Sequence, residues 1–170
     1  MKGNNIGRTV GVYGEAYIQF QLARLGWVVD AIGATANGID LLAWKSGGPN
    51  MGINVKTRLR NERGSVTLFK NDAHADAMRR ECELRGVKPY IACAVFADRG
   101  TRGFLMSLET FMARYRRRPR PTTETIEFYR TPLDEEKYDA DPDVIKLHEN
   151  DVSSGGVLQE AIEKAEGVIG

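Results

Sequence analysis

The chain has 170 residues, of which 42% are hydrophobic and 28% charged, and its formal net charge is +1. These values are ordinary for a globular protein of one domain with a sizeable core. The sequence has no apolar run near the ~20 residues of a membrane helix and no signal peptide, which predicts a cytoplasmic protein. The sequence contains two histidines, and Cys82 and Cys93 do not form a CxxC pair. A zinc site of the usual ligand spacing can therefore not be assembled from them.

The charge is distributed unevenly along the chain. Residues 1–130 contain 21 Lys and Arg against 12 Asp and Glu, whereas residues 131–170 contain 3 against 11. Basic surfaces often bind polyanions, and acidic tails are often solvated. The sequence therefore predicts a domain of residues 1–130 and an acidic C-terminal extension of residues 131–170. A solvated surface with an uneven tail explains the charge equally well.

The first predicted elements are a helix and three strands. "TVGVYGEAYIQFQLARLGW" predicts a helix that ends at Gly26, with an apolar stripe at Val10, Tyr13, Tyr17, Phe20 and Leu25. "WVVDAIGA" predicts a strand. "GIDLLAWK" and "GINVKTRL" predict two more, joined by the hairpin signal "SGGPNM".

The next segments predict further strands and helices around the same sheet. "VTLF" reads as a short strand, and a helix follows from an Asn71 cap to Gly86. "PYIACAVFA" is almost continuously apolar, which favours a central strand. "FLMSL", the helix "LETFMARYRRR" and the strand "TIEFYR" follow, and "VLQEAIEKAEGV" predicts a terminal helix. This order predicts an α/β fold with a mixed central sheet flanked by helices.

Two charged residues interrupt the apolar hairpin. Asp40 lies near the start of its first strand, and Lys56 lies inside its second, two residues after Asn54. Side chains on one face of paired strands converge, and a carboxylate there can bind a hard cation such as Mg²⁺. Glu15 is a candidate second carboxylate, because Gly11 and Gly14 beside it would let the helix approach the sheet closely.

These residues resemble the motifs of the PD-(D/E)xK nuclease superfamily, most closely the archaeal-type Holliday junction resolvases and related small endonucleases. Glu15 on the first helix, Asp40 at a strand start and "INVKTR" carry the resemblance, which covers roughly residues 5 to 110. It implies a restriction-endonuclease-like fold and hydrolysis of DNA with Mg²⁺, or Mn²⁺ as a substitute. It also implies a catalytic site of Glu15, Asp40, Asn54 and Lys56, with Glu15, Asp40 and Asn54 as metal ligands.

The sequence departs from the family pattern at two positions. Ile39 stands where proline often precedes the metal-binding acid, and Asn54 stands where the second acid is expected. An amide oxygen can coordinate a hard cation but supplies no charge. A second reading is therefore a degenerate nuclease fold that binds nucleic acid or a protein partner without cleavage, and a third is an α/β domain with an accidental motif.

Basic residues follow the predicted site closely, which indicates contact with DNA phosphates. They are Arg58, Arg60, Arg63 and Lys70. A second cluster, "RYRRRPR" from Arg114 to Arg120, either contacts phosphates too or complements a helix dipole. No base-reading motif is present, so the sequence favours DNA recognised by shape, such as a branch. Two symmetric cuts in a branched substrate would require a homodimer.

Each singled-out residue also has a plain structural interpretation. Asp40 can terminate a turn, Lys56 can extend from an edge strand to solvent, and Glu15 and Asn54 can be solvated surface residues. The acidic extension can compete with DNA for the basic face, so that removing residues after about 135 raises DNA affinity. It can equally pack as a terminal helix on the domain or on a second subunit.

Overall fold

The first helix, α1 (Gly3–Arg24), confirms the predicted N-terminal helix. The structure is a computed structural model that describes residues 3–32, 38–59, 64–97, 100–116, 126–130 and 132–147. Gly26 follows α1 with a φ of 82°, a backbone conformation that glycine adopts without steric cost and that commonly ends helices.

The apolar stripe predicted for α1 is wrong. Tyr13 and Phe20 are 65% and 52% exposed. The buried face carries residues that are three, four or seven positions apart, namely Gly14, Ile18, Gln21 and Leu22. Apolar residues occupy two sides of this helix, so periodicity does not identify the side that packs. The side of α1 that carries Gly14 faces the sheet, because the missing side chain allows the helix backbone to approach β3 closely.

The remaining elements follow the predicted order as far as residue 130, and the helix and strand after it were not predicted. They are β1 (Val28–Ala31), β2 (Leu41–Trp44), β3 (Met51–Leu59), β4 (Gly64–Phe69), α2 (Asp72–Leu84), β5 (Lys88–Ala97), β6 (Gly100–Ser107), α3 (Leu108–Thr110), β7 (Ile126–Arg130), α4 (Pro132–Ala140) and β8 (Ile145–Lys146). Helix α3 continues into one π-helical segment, Phe111–Tyr115. The Asn71 side chain accepts a hydrogen bond from His74 N–H and caps α2, as predicted.

Six strands form a mixed central sheet in the order β1-β2-β3-β5-β6-β8. Strands β3 and β5 are parallel, and the other neighbouring pairs are antiparallel. The apolar β5 is central, as predicted. Strands β4 and β7 form a separate antiparallel pair. The predicted fold class, an α/β fold with a mixed central sheet flanked by helices, is therefore confirmed.

The two faces of the sheet bury separate clusters of side chains. On one face, Ile53 and Val55 of β3 pack in the cluster that contains Ile18 and Leu22 of α1. On the other, a Cβ added to Gly52 would lie 2.8 Å from Cys82 Sγ of α2. Because side chains alternate along a strand, residues 54 and 56 of β3 belong to the face that α2 covers.

The segment of residues 132–147 packs on this sheet. Tyr138 of α4 is 1% exposed, and its ring lies 5.3 Å from that of Phe104 in β6. Strand β8 pairs with β6, with Leu105 opposite Ile145. The predicted division after residue 130 thus separates parts of one core. A cut near residue 135, predicted to release a brake on DNA, would remove Tyr138 from that core.

Two predictions made from composition can be compared with the coordinates. No helix in the described ranges is long and apolar enough to span a membrane. Both cysteines are buried, and burial raises the pKa of the Cys82 thiol to about 11. The predicted terminal helix "VLQEAIEKAEGV" lies outside the described residues.

Candidate functional site

Asp40 occupies the point where the pairing of β2 with β3 ends. The regular register begins with Leu41 opposite Ile53, whereas β3 continues to Leu59. The Asp40 backbone N–H donates to the Ile53 carbonyl at 2.8 Å, and Asp40 Oδ2 accepts from the Val55 N–H at 2.7 Å. Beyond this point β2 supplies no backbone carbonyl to β3, and the Asp40 carboxylate accepts the hydrogen bond from the Val55 N–H instead.

Asn54 is almost completely buried beside this junction. Its side chain is 3% exposed, and its Nδ2 donates to the Gly38 carbonyl oxygen. That bond fixes the amide orientation, because a flipped amide would place Oδ1 against a carbonyl oxygen. Within the described residues, Oδ1 is buried without a hydrogen-bond partner. Such an atom is unfavourable in a folded protein unless a ligand, ion or water satisfies it.

Glu15 approaches the junction from α1 because that helix touches β3. A Cβ added to Gly14 would lie 1.8 Å from Thr57 Oγ1, so only glycine allows this separation of helix and strand. A Cβ added to Gly11 would have no neighbouring heavy atom within 4 Å. The predicted close approach is confirmed at Gly14 and is wrong at Gly11.

The charges of Glu15, Asp40 and Lys56 act on one another. Burial raises the pKa of Glu15, the Asp40 charge raises it further, and Lys56 lowers it. Burial also raises the pKa of Asp40, while the Val55 N–H and Lys56 lower it. A cation at this position would offset both the desolvation of the two carboxylates and the repulsion of Glu15 by Asp40.

The four sequence-predicted site residues thus meet at one edge of β3. Glu15, Asp40 and Lys56 lie within range of each other's charge. Asn54 joins them through Gly38, two residues before Asp40. They converge from both faces of the sheet because β2 is too short to cover the end of β3. Their metal-binding and catalytic roles stay predictions.

The donor set fits a hard divalent cation. The described residues include no group of three or more His, Cys, Asp or Glu side chains placed so that they could together hold a metal ion. The donors at the junction are two carboxylates, from Glu15 and Asp40, and the buried Asn54 amide oxygen. An all-oxygen set with few protein ligands is what Mg²⁺ uses, since it retains several waters.

Two partners of these residues were not predicted from the sequence. The Val55 N–H and the Gly38 carbonyl orient Asp40 and Asn54, but both are backbone groups and leave no side-chain signal. For Gly38, the one sequence signal is the residue type, since its φ of 77° favours glycine.

The side chains of most of the predicted DNA-binding residues lie outside the part of the chain that the structure describes. Arg60 and Arg63 lie outside the described residues. Arg58 belongs to β3, and its side chain is likewise not among those described. Lys70 is exposed immediately before the α2 cap. Phosphate contact by this cluster stays a prediction.

The second basic cluster makes internal ion pairs where it is described. Arg114 pairs with Asp141 at 2.8 Å and with Asp143 at 2.6 Å, and Arg116 pairs with Asp72 at 2.7 Å. Residues 117–120 lie outside the described ranges. No sequence signal indicates these pairings, because the partners lie 27 to 44 positions from their arginines, and two of them belong to the segment assigned to the extension.

Comparison with known proteins gives a structural likeness but no family or curated match. No family model matches the chain, and no curated protein matches it. Among solved structures, the chain is similar to the Holliday junction resolvase Hjc of the archaeal hyperthermophile Archaeoglobus fulgidus. The sequences are 16% identical, the TM-score is 0.47, and the match covers 70% of this chain and 83% of that chain.

Proposed function

We propose that this protein is an endonuclease that hydrolyses DNA phosphodiester bonds with Mg²⁺, or with Mn²⁺ as a substitute. The observation that carries the proposal is the buried Oδ1 of Asn54, which has no hydrogen-bond partner among the described residues, near the partly desolvated carboxylate of Asp40. In an α/β domain without a ligand site, a buried amide oxygen that lacks a hydrogen bond and two acids that repel each other would only reduce stability. A cation would satisfy the amide and neutralise both acids.

Each residue has a defined task in this proposal. Glu15, Asp40 and Asn54 would hold the cation. When bound, the metal lowers the pKa of a coordinated water and neutralises charge on the phosphate. The Lys56 ammonium donates a hydrogen bond to the attacking water or to the phosphate, and its charge stabilises the anionic transition state. The Val55 N–H holds the Asp40 carboxylate in place throughout.

The proposed substrate is branched DNA, and the proposed active form is a homodimer. Two observations support this: the sequence has no base-reading motif, and the predicted basic residues around the site are of the kind that contacts phosphates. A branched substrate that is cut twice requires two sites, which a dimer with one site per subunit supplies.

A second candidate function is DNA binding without cleavage. It is favoured by Asn54 at the position of the second acid, since an amide contributes no charge to the metal site. Among the described residues, the junction also offers only the two carboxylates of Glu15 and Asp40. In this alternative, Asn54 would retain a water in place of the cation.

The test is a cleavage assay on labelled linear, flapped and four-way-junction DNA with Mg²⁺ or Mn²⁺. Asp40→Asn and Lys56→Ala are each expected to lower the cleavage rate at least 100-fold, because they remove a metal ligand and the charge that stabilises the transition state. The matched control is Asp30→Asn, since Asp30 is an exposed acid on the neighbouring strand β1.

The outcomes separate the two candidates. Metal-dependent cutting that survives Asp30→Asn but not Asp40→Asn supports the endonuclease. Tight, salt-sensitive binding without cutting on any substrate supports the second candidate. Equal cutting by the parent and both site variants would contradict the endonuclease at this site.

A further inference from the structure

A second basic side chain lies on the sheet face that carries Lys56. In the register of the sheet, Lys56 aligns with Cys93, and Cys93 aligns with Phe104 of β6. Arg102 lies two residues from Phe104 and therefore on the same face. Strand spacing and rise place the Cα atoms of Lys56 and Arg102 roughly 12 Å apart.

The Arg102 guanidinium is held by an aromatic ring and a carboxylate. It lies over the ring of Phe104, 5.4 Å from the ring centroid, and it pairs with Asp139 of α4. The side chains of Arg102 and Asp139 are 34% and 37% exposed, so solvent and other anions reach the pair. Exposed ion pairs contribute little to folding stability, which makes the carboxylate replaceable.

We propose that Arg102 binds a DNA phosphate a few nucleotides from the scissile bond, and that Asp139 occupies its guanidinium until DNA arrives. This inference rests on the proposed function. One strand of duplex DNA carries a phosphate about every 3.4 Å along its axis, so ~12 Å corresponds to a few phosphates. Carboxylate and phosphate bind guanidinium in the same planar, bidentate manner, so one can replace the other.

The neighbouring acids support the role of Asp139 as a competitor. Asp139 lies in the last turn of α4, and Asp141 and Asp143 lie in the segment that joins α4 to β8. Each of the three pairs with an arginine of the folded core. Asp141 is buried and hydrogen-bonded by Tyr115, which makes it structural. Asp139 is an exposed acid, so it can exchange for a phosphate without opening the core.

The test is DNA binding by fluorescence anisotropy over a range of salt concentrations, with EDTA present to prevent metal-dependent cleavage. Arg102→Gln is expected to weaken binding about 3- to 10-fold and to reduce the slope of log K against log salt by about 0.9, the loss of one phosphate contact. Asp139→Asn is expected to strengthen binding about 2- to 5-fold, and Arg102→Gln should abolish that gain.

The matched control is Arg85→Gln. Arg85 forms an exposed pair with Glu81 in the last turn of α2, at the end of the sheet near Gly52 and away from Arg102. Its removal should leave affinity and slope unchanged. If Arg102→Gln does not fold, the DNA affinity of Asp139→Asn is the deciding measurement. The proposal requires that this variant binds DNA more tightly than the parent.

The results distinguish failure of this inference from failure of the proposed function. If the parent binds and cuts DNA while Arg102→Gln matches Arg85→Gln, only the role of Arg102 is overturned. Weaker binding by Asp139→Asn would also overturn it. If the parent binds no DNA, both proposals are wrong.

Discussion

The carboxylate of Asp40 accepts a 2.7 Å hydrogen bond from the Val55 N–H where β2 stops pairing with β3. This bond holds an acid in a partly buried position where burial raises its pKa. Glu15 lies close enough to be repelled by it. The arrangement opposes the stability of the metal-free protein, which is characteristic of sites arranged for a ligand.

Replacing Asp40 with asparagine should stabilise the metal-free protein at pH 8 by about 0.5–2 kcal/mol. A carboxyl whose pKa is raised by folding contributes stability below its unfolded pKa and loses it as pH rises through the folded pKa. Asparagine avoids this loss and keeps an oxygen for the Val55 N–H. Urea unfolding should show the gain at pH 8 and little difference at pH 4. Asp30→Asn is the control, and a loss of stability in Asp40→Asn at pH 8 would contradict the prediction.

Mg²⁺ or Mn²⁺ should raise the melting temperature of the parent. A ligand that binds only the folded state at 100 times its dissociation constant stabilises it by about 2.7 kcal/mol. Glu15→Gln should reduce this gain, because it removes one of the two carboxylates that carry the charge of the site. Calorimetry with and without metal checks this, with Asp30→Asn retaining the full gain. A metal-induced shift that Glu15→Gln leaves intact would remove Glu15 from the site.

Replacing Asn54 with aspartate should destabilise the metal-free protein by about 2–4 kcal/mol. The substitution buries a charge and places a carboxylate oxygen against the Gly38 carbonyl, where Nδ2 now donates. Added Mg²⁺ should recover much of the loss, since the new charge would bind the cation. Asn50→Asp, at an exposed position, is the matched control. Melting curves that show the loss but no recovery with metal would argue against Asn54 as a ligand.

Replacing Gly14 with alanine should destabilise the fold by about 1–3 kcal/mol, because the new Cβ would overlap Thr57. It should also lower the cleavage rate, since displacing α1 moves Glu15. Gly11→Ala supplies the control on the same helix. Its Cβ would meet nothing within 4 Å, so it should stabilise α1 by about 0.5–1 kcal/mol. Chemical unfolding of both variants measures this, and equal effects would contradict the proposed contact.

Replacing Asp141 with asparagine should cost about 2 kcal/mol of stability, because it weakens the charged hydrogen bonds from Arg114 and Tyr115. The hydrogen bond from Tyr115 lowers the pKa of Asp141 to about 2. Its contribution is therefore present above the unfolded pKa and lost as pH falls towards 2. Urea unfolding from pH 7 to pH 2 should show the variant approaching the parent. Asp76→Asn, in an exposed pair with Arg79, should change stability by at most ~0.5 kcal/mol.

Several features of the fold could be predicted because their causes are local. Asn71 caps α2 with its own side chain, and the apolar run of β5 indicates a strand buried on both faces. The buried side of α1 could not be predicted, because it depends on the clearance between Gly14 and a residue 43 positions away. Helix α4 was also missed, because its acidic sequence carries a weak apolar pattern; among its described side chains, Tyr138 is the one that is buried in the core.

The amino-acid sequence alone predicts the fold class, the order of the elements up to residue 130 and the residues that a metal site could use. Periodicity, turn chemistry and the placement of Glu15, Asp40 and Lys56 carry that information along the chain. The tertiary structure brings these charges together at the uncovered end of β3, and it buries the Asn54 oxygen without a hydrogen-bond partner among the described residues. It also decided that the acidic residues 139–143 pair with core arginines. The physical reason is that such pairings depend on strand lengths and helix clearances, which long-range packing sets and local sequence does not.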